Sequence, residues 1–250
     1  MRICAFASWG TVDLPNYTRY YLEQLKPYHD EIHIITNAGR PVDETWVKER
    51  GYHIHYFPNR GRDYEKYYHW LMKMGRQKIV AAQSLSMIND SILCYGPQNK
   101  FFDWAYARGG YDMCGLNGMI FPLFHLQGSP LIANHSFLER LWDHFERTGV
   151  VSPIDEIANY ELKFPELTES LACMFPQAKR RGWDELFSVP FEMGVPLVKH
   201  YCVSPRKPFL LQQWQTRIRE FGHPDAKPWS MLPVLLDPSY IFRSEANEKF

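Results

Sequence analysis

The chain has 250 residues, 45% of them hydrophobic and 16% aromatic, enough to bury one sizeable core with at most a small appendage. Its 28 basic residues balance 28 acidic ones, which excludes the broad basic footprint of a duplex nucleic-acid binder or a polybasic membrane anchor. An anionic ligand has to be met by local groups.

The order of predicted elements is strand, helix, strand, helix through most of the first half. "RICAFAS", residues 2–8, reads as an apolar strand; Asp13 and Pro15 then open an amphipathic helix whose Leu14, Tyr17, Tyr21 and Leu25 share one face. "EIHIIT" is a second strand, a short helix through Trp46 follows Pro41, and "GYHIHYF" is a third strand. "NRGRD" turns the chain into the helix "YEKYYHWLMKM", and "SLSMIND" is a fourth strand. This alternation predicts an α/β fold with a Rossmann-like, mostly parallel central sheet flanked by helices, a class that binds ligands at the carboxyl ends of its strands.

Further on, "YDMCGLNGM" and "HLQGSPLIANHS" predict two more strands. The second leads into a helix at Ser136, whose Ser-Phe-Leu-Glu opening reads as a capping box and whose buried face is Phe137, Leu141, Trp142 and Phe145. A helix from Ser152-Pro153 is expected to run through "DEIANYELKF" until Pro165 interrupts it. "PFLLQQWQTRIREFG" predicts a late helix, and residues 227–250 read as a wrapped tail. The domain expectation is therefore residues 1–205 for the α/β domain and 206–250 for a C-terminal helix and tail.

The five cysteines, Cys4, Cys94, Cys114, Cys173 and Cys202, are odd in number and widely spaced, which reads as reduced structural thiols in a cytoplasmic chain. "MRICAFASWG" has less apolar length than a secretory leader, and no apolar run approaches the ~20 residues of a membrane span.

Four groups of residues are candidates for chemistry. In "NRGRDYEKYY", Asn59 and Gly61 suit a tight strand-to-helix turn that aims helix amides at a bound phosphate; Asp63 is either the helix cap or a ligand contact. At the end of the fourth strand, Asn89, Asp90 and Ser91 offer hard oxygen ligands. Asp90 there either holds a divalent cation, Mn²⁺ or Mg²⁺, bridging a diphosphate, or accepts a sugar hydroxyl, or closes the strand in an Asx-turn. His125 and Gln127 alternate along a strand and so point to one face, whereas His53 and His55 read as half-exposed strand residues. Among Asp155, Glu156 and Glu161, Asp155 is explained by its place at a helix start; Glu161 is either a solvated surface group or, facing a cleft, a general base.

In this order, these motifs resemble the rhamnan synthesis F (RgpF-like) family of bacterial polysaccharide synthesis, whose members are similar to glycosyltransferases of the GT-A fold. The resemblance lies in "CAFASWGTVDLPNYTRYYLEQLKPYHDEIHIITN", "NRGRDYEKYYHWL", "INDSILCYGP", "HLQGSPLIANHSFL" and "NYELKF", and covers roughly residues 2 to 200. Tyr64-Glu65 after Asp63, and Gly128 after His-Leu-Gln, depart from the family pattern.

The resemblance implies a GT-A-like fold and transfer of a sugar, with L-rhamnose from dTDP-L-rhamnose as the first donor to consider and UDP-hexoses or a non-catalytic glycan-binding module as the alternatives. It implies that Asn89, Asp90 and Ser91 stand where such enzymes hold the donor diphosphate or its metal. The partners implied are a nucleotide-sugar donor and a glycan acceptor, with peripheral association with a membrane-bound lipid-linked glycan at the inner face of the membrane. Asp155 or Glu161 would serve as the base, and Trp104, Trp142, Trp183 and Trp214 suit sugar stacking.

Overall fold

The computed structural model describes residues 1–8, 14, 16–38, 44–58, 63–94, 96–119, 124–151, 162–175 and 195–199. They divide into two compact units, the first Met1–Asp13, Tyr28–Asp90 and Trp104–Ala178, the second Leu14–Pro27, Ser91–Asp103 and Lys179–Phe250.

The first unit is built on β1 (Arg2–Ala7), β2 (Glu31–Asn37), β3 (His53–Phe57) and β4 (Ser84–Asn89), all parallel in the order β3-β2-β1-β4. The runs of β1, β2 and β4 are largely apolar and buried along their length, the pattern of strands covered on both faces, whereas the edge strand β3, His-Ile-His-Tyr-Phe, is exposed to half-buried. The sheet continues outward from β4 through β7 (His125–Asn134), β6 (Met113–Met119) and β8 (Leu171–Phe175). β7 is antiparallel to both neighbours and β6 is parallel to β8, so β7 alone runs against the other six strands. The unit is thus a mixed α/β fold with a mostly parallel central sheet flanked by helices, as the alternation of elements predicts.

One face of the sheet presents Ile3, Ala5, Ala7, Ile35, Leu85 and Met87 to the helices α3 (Asp63–Met74), α4 (Arg76–Val80) and α6 (His135–Thr148). Tyr64, Tyr67 and Trp70 with Leu71 recur every three or four residues on α3, and Phe137, Leu141 with Trp142, and Phe145 do the same on α6, so each helix turns one apolar stripe inward. Each fully buried Phe or Leu adds ~1.5–3 kcal/mol over leaving it in water, and these stripes hold α3 in place over the sheet. Gly75, at φ +83°, separates α3 from α4, a break that a left-handed backbone position favours and that the hydrophobic pattern does not announce.

Four sequence expectations are corrected here. Ser136 does not cap its helix: α6 is preceded by Asn134, and the Ser136 hydroxyl donates instead to Asp112 Oδ1 at 2.7 Å. Glu139, the other half of the expected capping box, pairs with Arg76. Pro165 sits in the first turn of the short helix α7 (Phe164–Leu167), where its missing N–H costs no hydrogen bond, so it opens a helix rather than interrupting one. Trp142 is only 4% exposed within the core and cannot stack on a sugar.

In the second unit, α1 (Asn16–Leu25) buries Tyr21, Leu22 and Leu25, and β5 (Ile92–Cys94) pairs antiparallel with β9 (Leu197–Lys199). Cys4, Cys94 and Cys114 are buried free thiols and Cys173 is a partly buried one, as reduced structural cysteines would be. Burial pushes the Cys94 thiol up to about 12, so it is inert as a nucleophile. No helix among the described residues is long and apolar enough to cross a membrane. The late helix and tail, residues 206–250, lie outside the described residues.

Asp112, just before β6, ties three elements together. Its carboxylate accepts from Ser136 Oγ, from Arg140 Nη2 at 2.7 Å and from the Glu169 amide at 2.7 Å. Burial pushes this carboxyl up, but the Glu169 amide, the Ser136 hydroxyl and the Arg140 guanidinium outweigh it and hold the group below its ordinary value. Asp112→Asn places an NH₂ against those donors, and the expected loss is about 2 kcal/mol, read as a lower urea midpoint at unchanged slope.

Candidate functional site

β1 and β4 are adjacent in a parallel register that runs from Arg2 opposite Ser84 to Ala7 opposite Asn89. From β1 the chain moves outward to β2 and β3, then returns to the other side of β1 as β4. That reversal is a topological switch point, and in open α/β sheets the crevice above such a point, at the carboxyl ends of the strands, is where ligands sit.

The residues just past the two strand ends are Ser8 and Asp90. The Ser8 hydroxyl donates to Asp90 Oδ2 at 2.9 Å, while the Asp90 amide donates to the Ala7 carbonyl at 3.1 Å, so the ladder continues one step beyond the strands. The Ser8 amide in turn donates to the Ile35 carbonyl at 2.8 Å, fixing the same corner to β2. Beside it, Asn89 Nδ2 donates to Asp63 Oδ2 at 2.6 Å, a short charge-assisted bond.

Asp63 is the first residue of α3, so the packing of that helix decides where its carboxylate stands. One turn later, the buried Tyr67 hydroxyl donates to the Ile88 carbonyl at 2.8 Å and ties α3 to the last turn of β4. Burial first, then the charges of Asp63 and Asp90 among its neighbours, hold the Tyr67 hydroxyl well above its ordinary value. Both carboxylates therefore lie within electrostatic reach of one hydroxyl. The Asn89-Asp90-Ser91 triplet has a single acidic side chain, and α3 supplies the second.

This corner is chemically an acceptor-rich edge: two carboxylates, an amide and a hydroxyl at the carboxyl ends of parallel strands. All of its donors are hard oxygens, which fit a divalent cation such as Mn²⁺ or Mg²⁺, or the hydroxyls of a sugar. The acidic first turn of α3, Asp63 and Glu65, works against a bare phosphate there, despite the favourable helix dipole.

The other predicted residues fall as follows. His125 begins β7 opposite Met119, the last residue of β6, and is buried at the same edge of the sheet. The backbone of Gln127 pairs with Asn117, and its side chain lies outside the described residues. Strict alternation fails along this strand. Gly115 pairs with Leu131 and Asn117 with Gln127, so two steps on β6 answer four on β7, and Leu126 enters the same core cluster as Leu131 and Ala133. Ser91 belongs to the second unit. Asn59, Gly61, Asp155, Glu156 and Glu161 lie outside the described residues, as do Trp183 and Trp214. Trp104 is half-buried, with the Arg108 guanidinium 5.7 Å from its ring centre.

Sequence reasoning missed Ser8 and Tyr67. The signal for Ser8 was available, a small polar residue ending an apolar strand; Tyr67 looks like any aromatic of an amphipathic helix.

No family model and no curated protein matches the sequence. Among solved structures, the chain is similar to TarS 1–349 of S. aureus, with 11% identity and a TM-score of 0.42 over 100% of this chain and 82% of that one. It is also similar to glucosyl-3-phosphoglycerate synthase of Mycobacterium tuberculosis in complex with Mn²⁺, UDP and phosphoglyceric acid, with 12% identity and a TM-score of 0.39 over 78% and 79% of the two chains. A third is a cytidylyltransferase of Leptospira borgpetersenii, with 13% identity and a TM-score of 0.44 over 88% and 95%. At these identities and scores the likeness carries no functional argument, and the site is read from its own residues.

Proposed function

We propose that the chain is a glycosyltransferase that moves a sugar from a nucleotide-sugar donor to a growing bacterial glycan, on a GT-A-like arrangement of the sheet. The observation that supports this best is the meeting of Ser8, Asp90, Asn89 and Asp63 at the β1/β4 switch point, where a nucleotide diphosphate would be met by its cation. The resemblance to the rhamnan synthesis F family makes L-rhamnose from dTDP-L-rhamnose the first donor, at the cytoplasmic face of the membrane where a lipid-linked glycan acceptor would be anchored.

In this reading Asp90 and Asp63 hold the donor side. Asp90, kept in place by Ser8, would ligate Mn²⁺ or Mg²⁺ with Asp63, and the bound ion would neutralise charge growing on the leaving diphosphate. Asn89 orients Asp63. Asn59 and Gly61 are assigned to the same donor, and His125 and Gln127 to the sugar or acceptor.

The reaction is a single displacement. The acceptor hydroxyl oxygen bonds to the anomeric carbon as the bond from that carbon to the diphosphate oxygen breaks; the nucleoside diphosphate leaves with the electron pair. The hydroxyl proton passes to a carboxylate, Glu161 first and Asp155 second. Attack opposite the leaving group inverts the anomeric centre.

A thermal-shift panel of dTDP-, UDP- and GDP-sugars, with Mn²⁺ or with chelator, tests donor binding. The expected result is selective stabilisation by one nucleotide sugar, about 2.7 kcal/mol at ~100 times its dissociation constant, lost in chelator and in Asp90→Asn. A response to free glycan and to no nucleotide would instead make the chain a glycan-binding module. With the donor known, Glu161→Gln should lower turnover ~10²–10⁴-fold with little change in donor affinity. NMR of the product should show an inverted anomeric centre; a retained configuration rules out single displacement.

A further inference from the structure

At the end of the sheet opposite the candidate site, the amino ends of β2 and β3 bring three metal-binding side chains to one face. Glu31 and His33 are two apart on β2, and His33 stands directly opposite His53 on β3. A ligand atom from each, one carboxylate oxygen and two ring nitrogens, lies within 4.8 Å of both others. We propose that Glu31, His33 and His53 form a binding site for a divalent transition ion of the zinc class, distinct from the oxygen-lined corner at Asp90.

The donor set decides the ion. Two imidazoles and one carboxylate suit Zn²⁺ and its neighbours, which prefer nitrogen, and disfavour Mg²⁺ or Ca²⁺. Three protein ligands are the number that a zinc ion takes when one position is left to solvent, and His53 is exposed, so the fourth position opens to water.

The outer partner is also present. His33 is only 2% exposed, and its Nδ1 is 2.9 Å from His55 Nε2 while its Nε2 faces Glu31 Oε2 at 2.8 Å. In the ion-free structure Nε2–H donates to Glu31; an ion taken up between them would displace that proton, and with the other proton on Nδ1, donated to His55, the Nε2 lone pair would face the ion. A metal-bound imidazole commonly donates its other N–H in this way, which fixes both tautomer and ring. Ring stacking restrains the set further, with His33 and His53 centroids 4.7 Å apart and Trp70 at 5.2 Å from His33.

Two features oppose the ion and set its strength. Tetrahedral ligands on zinc stand ~3.3 Å apart, given bonds of about 2.0–2.2 Å, so the carboxylate must open from His33 by about half an ångström. The Lys78 ammonium, 2.6 Å from Glu31 Oε2, now neutralises that carboxylate and would have to swing away. Lys78 is about one-third exposed and free of the core, so the exchange replaces one cation by another at the same oxygen. Both features lower the affinity for the ion.

The proposal is independent of sugar transfer, and its test does not read activity. The full chain, stripped with chelator and desalted, is titrated calorimetrically with Zn²⁺ and optically with Co²⁺. The expected result is one Zn²⁺ per chain and a visible Co²⁺ band of low coordination number, with affinity falling at least ~10-fold in each of His53→Gln and Glu31→Gln. Both substitutions act on side chains that reach solvent, so circular dichroism should confirm the fold in each. Absence of saturable binding in the wild-type chain, or unchanged affinity in either variant, overturns the site.

Discussion

The parallel pairing of β1 with β4 is the constraint on which the candidate site depends. It joins segments 82 residues apart at the Ser8–Asp90 bond, and nothing local in either segment specifies the partner. The register is fixed by what lies beneath: Ile3 and Ala5 beside Leu85 and Met87 face α3 and α6 in the core. A slip of one residue would turn Leu85 and Met87 out of the core and carry Asn89 away from Asp63, because side chains alternate with period two. The geometry of the polar corner is therefore held by apolar packing several residues below it.

Helix α3 extends that dependence. Trp70 and Leu71 anchor it on the sheet, Tyr67 ties it to the Ile88 carbonyl, and Asp63 arrives at the corner as a consequence. Replacing a packed residue such as Trp70 would move a carboxylate about two turns away without touching any ligand. A site built on rigid elements in this way is precise, and it inherits every weakness of the core under it.

What the sequence discloses follows from how far apart the interacting groups are. Periodicity found β1 to β4, β6, β7, α3 and α6, because each buries a face that repeats within its own residues. It did not find β8, β5 or α4, which are three to five residues long and lack a repeat to detect. The capping box at Ser136 is a sound local motif overruled by Asp112, 24 residues earlier, which offers the hydroxyl a charged acceptor in a partly buried place. Strand β7 shows the same limit: His125 and Gln127 lie together in regular register, but the irregularity opposite Gly115 and Asn117 changes the phase between them and Leu131. For the site, Asp90 and Asp63 were legible as strand-end and turn residues, whereas their convergence was not. It is a property of sheet order, 3-2-1-4, and sheet order is decided by long-range pairing.

The two ends of this one sheet differ in the kind of donor they present, and the difference has a structural origin. At the carboxyl ends, polar residues past the last ladder bond place only oxygens around the switch point, a set that hydrated hard cations and sugar hydroxyls match. At the amino ends of β2 and β3, side chains still inside the ladder point to one face at fixed spacing, so imidazoles repeat two residues apart along β3 and stack across to β2. A neutral imidazole offers one nitrogen lone pair and one N–H, so these rings present nitrogen where the other end of the sheet presents oxygen. If both proposed sites bind ions, ligand softness rather than field strength would sort them, since each is built around one or more carboxylates. The sorting needs no contact between the two places: the β1–β4 register builds one, the β2–β3 register builds the other, and the shared core beneath β1 and β2 keeps both in shape.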